Sequence, residues 1–179
     1  MMDKFINRCL TVGWLTGWIL LLGLLVGLGI LLLSNITVIH AYNETGDLLI
    51  EKKVTTDTTI QSRYIHSVAR CPMIEKFAIN DDNDFLLMES WNCSFGAGIE
   101  AEKPQGAMQR MEDGYLVYDE INKPLSQFAV HAALINEQML KIDDQTWNFS
   151  EEPFLDETIY LYIKEESRLI YWWHKLQVH

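Results

Sequence analysis

Between Leu10 and Leu33 lie 24 consecutive residues without a charge, 15 of them Leu, Ile or Val. A run of this kind has to be covered by protein or by lipid. As a helix rising 1.5 Å per residue it spans about 36 Å, enough to cross a hydrocarbon core of roughly 30 Å with some tilt. Trp14 and Trp18 stand near its start, where an aromatic belt meets the interface. Lys4 and Arg8 precede it, and the next bases are Lys52 and Lys53. The positive-inside rule then predicts a cytoplasmic N-terminus and places everything beyond about residue 35 across the membrane. A cleaved signal peptide has an apolar region of about 7–15 residues, which this run exceeds. The expected organisation is a cytoplasmic N-terminus (1–9), one transmembrane helix (10–33), a linker (34–47) and an exported β-rich domain (48–179).

Within the apolar run, Gly13 and Gly17, and again Gly23 and Gly27, have the small-xxx-small spacing that lets a second helix approach closely. They imply a membrane partner or a second copy, unless they reflect only the frequency of glycine in membrane helices.

Beyond the run the chain carries 12 bases and 24 acids, a net charge of −12. Nucleic acid is excluded as a partner on this count, because binding it requires a basic surface that releases counterions. Short runs of branched and aromatic residues alternate with Asp/Asn/Gly/Glu clusters about every ten residues. The expected fold is all-β, an antiparallel β-sandwich or barrel-like domain behind the transmembrane α-helix. Predicted strands are Leu48–Val54, Thr58–Ser67, Met73–Ile79, Phe85–Ser94, Tyr115–Ile121, Ser126–Leu134, Met139–Ile142, Trp147–Phe149, Thr158–Lys164 and Arg168–Gln177. Glu100–Gly114 reads as a long loop.

A turn centred on Asp82 pairs residues whose numbers sum to 164. Ile79 then faces Phe85, Phe77 faces Leu87, Met73 faces Trp91 and Cys71 faces Cys93, all on one apolar face. The same register sets Glu75 against Glu89, where two buried carboxylates raise one another's pKa unless a cation lies between them. Opposed cysteines in an oxidising compartment favour a Cys71–Cys93 disulfide over two free buried thiols. No CxxC or HxxxH spacing occurs, so no metal site and no cofactor are expected.

His66 and Glu75, nine residues apart through a Pro-containing turn, are candidates for an acid–base or cation-binding pair, or for a structural hydrogen bond. Ser67 beside His66 makes no triad, since adjacent strand residues point to opposite faces. Ser94-Phe95-Gly96-Ala97-Gly98 reads as a demanding turn or as an anion-binding nest. The aromatic run Leu169–His174 reads as a core strand, or as a sticky edge for a partner or the membrane surface.

Tyr64-Ile65-His66-Ser67-Val68, then Pro72, Glu75 and Phe77, followed by Ser94-Phe95-Gly96-Ala97-Gly98-Ile99, resemble a bacterial family known as domain of unknown function 1850. The matching core covers roughly residues 58–99. Where members tend to carry a proline after the Gly-Ala-Gly-aliphatic run, this chain has Glu100, and Cys71 replaces a small hydroxyl residue. The resemblance implies a small membrane-anchored or exported protein encoded beside TAXI-type permeases of tripartite ATP-independent periplasmic (TRAP) transporters, which import organic acids. The family has no established catalytic residues, so none is carried over.

The expected function is therefore a non-enzymatic accessory subunit of such a transporter. It is anchored in the bacterial inner membrane with its β domain in the periplasm, and its partners are the permease and the periplasmic solute-binding protein. The alternative is a free-standing periplasmic module that binds a small ligand or cation through His66, Glu75 and Glu89. An enzyme using His66 and Glu75 is the least supported class, because no complete catalytic constellation is present.

Overall fold

The computed structural model describes residues 2–93, 104–131 and 137–177, with the side chains of the N-terminal helix described at Trp14 and from Gly17 onward. It forms two units, one holding the N- and C-terminal helices and the other comprising Thr37–Glu165. The expected sites Phe95, Gly96 and Gly98 lie outside the described residues.

In the first unit, α1 runs from Met2 to Leu33. Its described side chains from Gly17 on are almost all exposed, on every side of the helix. Among the described residues no helix is long and apolar enough to cross a membrane. The continuous stretch with described side chains, 17–33, would span only about 26 Å, although the helical backbone runs on from Met2. The C-terminal segment Arg168–Gln177, read above as a strand, is instead a helix, α2. Its aromatic content favours β structure, but its apolar residues Leu169, Trp172, Trp173 and Leu176 recur at i, i+3, i+4 and i+7, the helical period. Ser167 caps it, its hydroxyl accepting from Ile170 N–H at 3.3 Å.

The second unit is built from antiparallel sheets. The strands are β1 (Asn35–Tyr42), β2 (Leu48–Val54), β3 (Ile60–Ile65), β4 (Pro72–Ile79), β5 (Phe85–Asn92), β6 (Met108–Glu112), β7 (Tyr115–Asp119), β8 (Lys123–Leu125), β9 (Gln127–His131), β10 (Gln138–Ile142), β11 (Gln145–Asn148) and β12 (Thr158–Ser167). One sheet has the order β2-β1-β12-β9, and the other runs β11-β10-β3-β4-β5-β7-β6, with β8 beside β5. Both sheets contribute to one core, in which Ile39, Phe85, Leu140, Phe149, Ile159 and Leu161 are fully or almost fully buried. Neither sheet order returns on itself, so the described strands close no barrel.

Three strands correct the sequence reading. β1 occupies the expected linker 34–47. Its burial does not alternate, because Val38, Ile39, His40 and Ala41 are all buried, and this hides the period of two. β6 lies inside the expected loop and forms a hairpin with β7, the strand expected from Tyr115, turning through Asp113 (φ 48°) and Gly114 (φ 84°). Two consecutive positive φ values are what a tight primed turn requires, and Asp-Gly is its usual dipeptide. The third, β8, is a three-residue strand beside the start of β5.

The β4–β5 hairpin decides where the ionisable groups go. Asn80 sets the turn: its side-chain oxygen accepts from Asp82 N–H at 3.1 Å and Asp84 N–H at 2.7 Å. Ile79 pairs with Phe85, and Phe77 with Leu87, as expected. The register then shifts between Lys76 and Phe77, leaving Met88 as an extra residue in β5. From there Lys76 faces Glu89, Glu75 faces Ser90 and Ile74 faces Trp91. The expected pairs Glu75–Glu89 and Met73–Trp91 do not form.

Candidate functional site

The shifted register puts Glu75 in a polar row that crosses three strands of the inner face. Ser62 of β3 and Ser90 of β5 are its two lateral neighbours, and Leu140 of β10 lies beyond Ser62. Such neighbours have Cβ atoms about 5 Å apart. The next row holds Gln138, Tyr64 and Met73, and on the other side lies the apolar row Ile60, Phe77 and Leu87. β9, at the edge of the four-stranded sheet, brings Phe128 and His131 across from them. Of these, Ser62, Tyr64, Glu75, Phe77, Leu87, Gln138, Phe128 and His131 line a cleft of about 290 Å³. Ligand sites of that size hold a small molecule.

One side of the cleft is aromatic. Phe77 and Phe128 stack with ring centroids 5.0 Å apart, and Phe85 meets Phe128 edge-on at 4.9 Å. Burial raises the pKa of Glu75, and no cation among the described residues offsets that effect. Tyr64 is raised too, first by its own desolvation and then by the neighbouring Glu75 charge. Ser62 is buried, and His131 Nδ1 lies 3.2 Å from the Thr158 hydroxyl. The group combines a carboxyl whose pKa burial raises with a phenol, a hydroxyl and the Gln138 amide. Chemically this suits a small ligand with an apolar body and a carboxylate or carbonyl head.

Glu89 belongs elsewhere. As the neighbour of Lys76 it points to the opposite face, where it accepts from Lys76 Nζ at 2.8 Å and from Trp91 Nε1 at 2.7 Å. Lys76 and Arg110 lie over the Trp91 ring at 4.6 and 5.7 Å, and Arg110 also pairs with Asp119 and Glu112. Desolvation pushes the Glu89 carboxyl up. The hydrogen bonds from Lys76 and Trp91, with the charges of Lys76 and Arg110, outweigh it and leave the pKa below the ordinary value. Two carboxylates read as one buried pair therefore occupy opposite faces with opposite electrostatics.

His66 does not meet Glu75. Ile65 is paired with Pro72, and His66 N–H donates to Cys71 C=O at 2.9 Å. Glu75, facing Ser62, is four positions further along the ladder, about 13 Å away. His66 instead organises a turn: its Nδ1 accepts from Val68 N–H at 3.2 Å and Ala69 N–H at 3.1 Å, and its carbonyl accepts from Arg70 N–H. Ser67 is exposed in that turn. The disulfide Cys71–Cys93, with Cα atoms 6.0 Å apart, ties the turn to the end of β5.

Sequence reasoning found Glu75 but missed Ser62, Tyr64, His131 and Gln138. The alternation Ile60, Ser62, Tyr64 along β3 was the available signal, since it places both polar groups on the face that carries Ile60. No curated protein and no solved structure matches the chain. Residues 60–149, half of the chain, match a family described as Domain of unknown function (DUF1850), and the match contains all the strands of the larger sheet together with β9. The protein belongs to that family.

Proposed function

We propose that this protein is a single-pass, non-enzymatic accessory subunit of a TAXI-type TRAP transporter, with α1 in the bacterial inner membrane and a β-sandwich domain in the periplasm. The observation that carries the reading is α1 itself: an uncharged segment from Leu10 to Leu33 lies within a 32-residue helix whose described side chains are almost all exposed. A helix that is apolar on every side needs lipid or other helices around it. Gly17, Gly23 and Gly27 add support, because a Cβ at any of them would meet nothing within 4 Å, so their small size serves no contact within the described chain. A partner helix would use it. Gly13, the remaining member of the expected packing set, has no described side-chain surroundings.

The test is purification of the tagged full-length chain from its native membrane in mild detergent, with identification of what accompanies it. The reading expects a TAXI-type permease in fixed ratio, lost when Gly23 and Gly27 become Leu. Recovery of the chain alone across several detergents contradicts it.

The cleft supports a second reading, a periplasmic binding module for a small carboxylic acid. Its site is Glu75, Tyr64, Ser62 and Gln138, in place of the His66–Glu75–Glu89 set. Short-chain carboxylic acids at about a hundred times their Kd would stabilise the chain by roughly 2.7 kcal/mol, whereas the E75A variant would show no such gain. Protection by calcium that is lost in E75A would instead assign the cleft to a cation.

A further inference from the structure

We infer that α2 is an interfacial helix that lies in the headgroup boundary of the bilayer leaflet into which the C-terminal end of α1 emerges; this rests on the reading that α1 crosses the membrane. The apolar stripe of α2 points the wrong way for a globular protein. Leu169, Trp172, Trp173 and Leu176 fall on one face within about 100° of arc, and their exposures are 50, 59, 60 and 75%. Tyr171 and His174, on the opposite side, are half-buried, as is Arg168 in the first turn. An ordinary surface helix turns its stripe inward. A helix lying in a membrane interface presents Trp and Leu outward to lipid and keeps cations beside them.

The position of α2 says what covers the stripe. Arg168 N–H, in its first turn, donates to Ser34 C=O at 3.1 Å, and Ser34 is the residue that follows the end of α1. The two helices also touch. α2 therefore begins at the level where the apolar run stops. At the other end of that run stand the exposed Trp14 and Trp18, which lie ~30 and ~24 Å from Ser34 along the helix axis. The larger separation, that of Trp14, matches the thickness of a hydrocarbon core, roughly 30 Å. Trp172 and Trp173 thus supply the second of two aromatic belts, one at each interface. Lys175, exposed near the end of α2, adds a positive charge at headgroup level, where it favours anionic lipid.

The full chain has six tryptophans, so lipid quenching reads the placement directly. The wild type and the W14F/W18F variant are reconstituted into phosphatidylethanolamine–phosphatidylglycerol vesicles whose acyl chains are brominated near the glycerol end. In W14F/W18F the fluorescence is expected to fall by roughly half relative to unbrominated vesicles, because two of its four indoles lie at the interface. Adding W172F/W173F removes that loss. A quenched wild type beside an unquenched W14F/W18F leaves α1 in lipid and overturns the placement of α2. The absence of quenching in both overturns the membrane reading of α1 and the inference with it. This comparison decides the matter even where the fourfold variant fails to fold, since α2 is unaltered in both proteins.

Discussion

Glu75 and Glu89 are separated by fourteen positions and one bulge, and they answer to pH in opposite directions. Burial raises the pKa of Glu75 in the folded chain, so the native state binds its proton more tightly than the unfolded chain does. Below the unfolded value the group costs nothing. As pH rises above that value the cost grows, and it is complete once pH passes the folded value. E75Q should therefore be more stable than wild type at pH 7.5, with the two converging near pH 4. Urea denaturation at both pH values checks this, and equal midpoints throughout would mean that the cleft does not desolvate the carboxyl. Glu89 runs the other way. Its folded pKa is lowered, so its contribution is present above the unfolded value and is lost as pH falls through the folded one. E89Q should lose stability at pH 7.5 by no more than about 1 kcal/mol, since the pair with Lys76 is partly solvated and screened. Salt titration of the same unfolding curve should shrink that difference.

At the scale of elements, the Cys71–Cys93 bond closes a loop of sequence separation 22 around the β4–β5 hairpin. In the chain-entropy model a loop of that size contributes about 3 kcal/mol. The C71S/C93S variant, compared with wild type by denaturant unfolding, should lose about that amount, and wild type under reductant should match the variant. An unchanged midpoint would show that the hairpin holds without its clasp. This hairpin was also the most legible part of the sequence. The Asn80–Asp84 turn and the alternation on both sides fixed the strand ends and the first pairs. Nothing in Leu87-Met88-Glu89 marks Met88 as the residue left over, because a bulge is chosen by twist and packing against the other sheet. One extra residue was enough to send Glu89 and Trp91 to the outer face. β1 was hidden by continuous burial, and β6 by its polar sequence Met-Gln-Arg-Met-Glu, although Asp113-Gly114 advertised the turn beside it. The misreading of α2 has a simpler cause: propensity was weighed where the 3.6-residue period should have decided.

For the whole molecule, the cleft was only partly visible in advance because it is assembled from far-apart segments. Glu75 and Tyr64 come from one hairpin, while Phe128 and His131 come from the other sheet. The sheet orders bring β1 and β12 side by side, so the strand that follows α1 and the strand that precedes α2 are neighbours. The proposed function requires that α1 cross the membrane and that the β domain be exported. The three cysteines report on it together, since Cys9 precedes the apolar run while Cys71 and Cys93 lie in the β domain. Intact cells expressing the full chain would be quenched in acid and alkylated under denaturing conditions with a large maleimide, with and without prior reduction. The account predicts one adduct before reduction, at Cys9, and three after it. Three adducts without reduction would put all the thiols in a reducing compartment and contradict the export of the β domain.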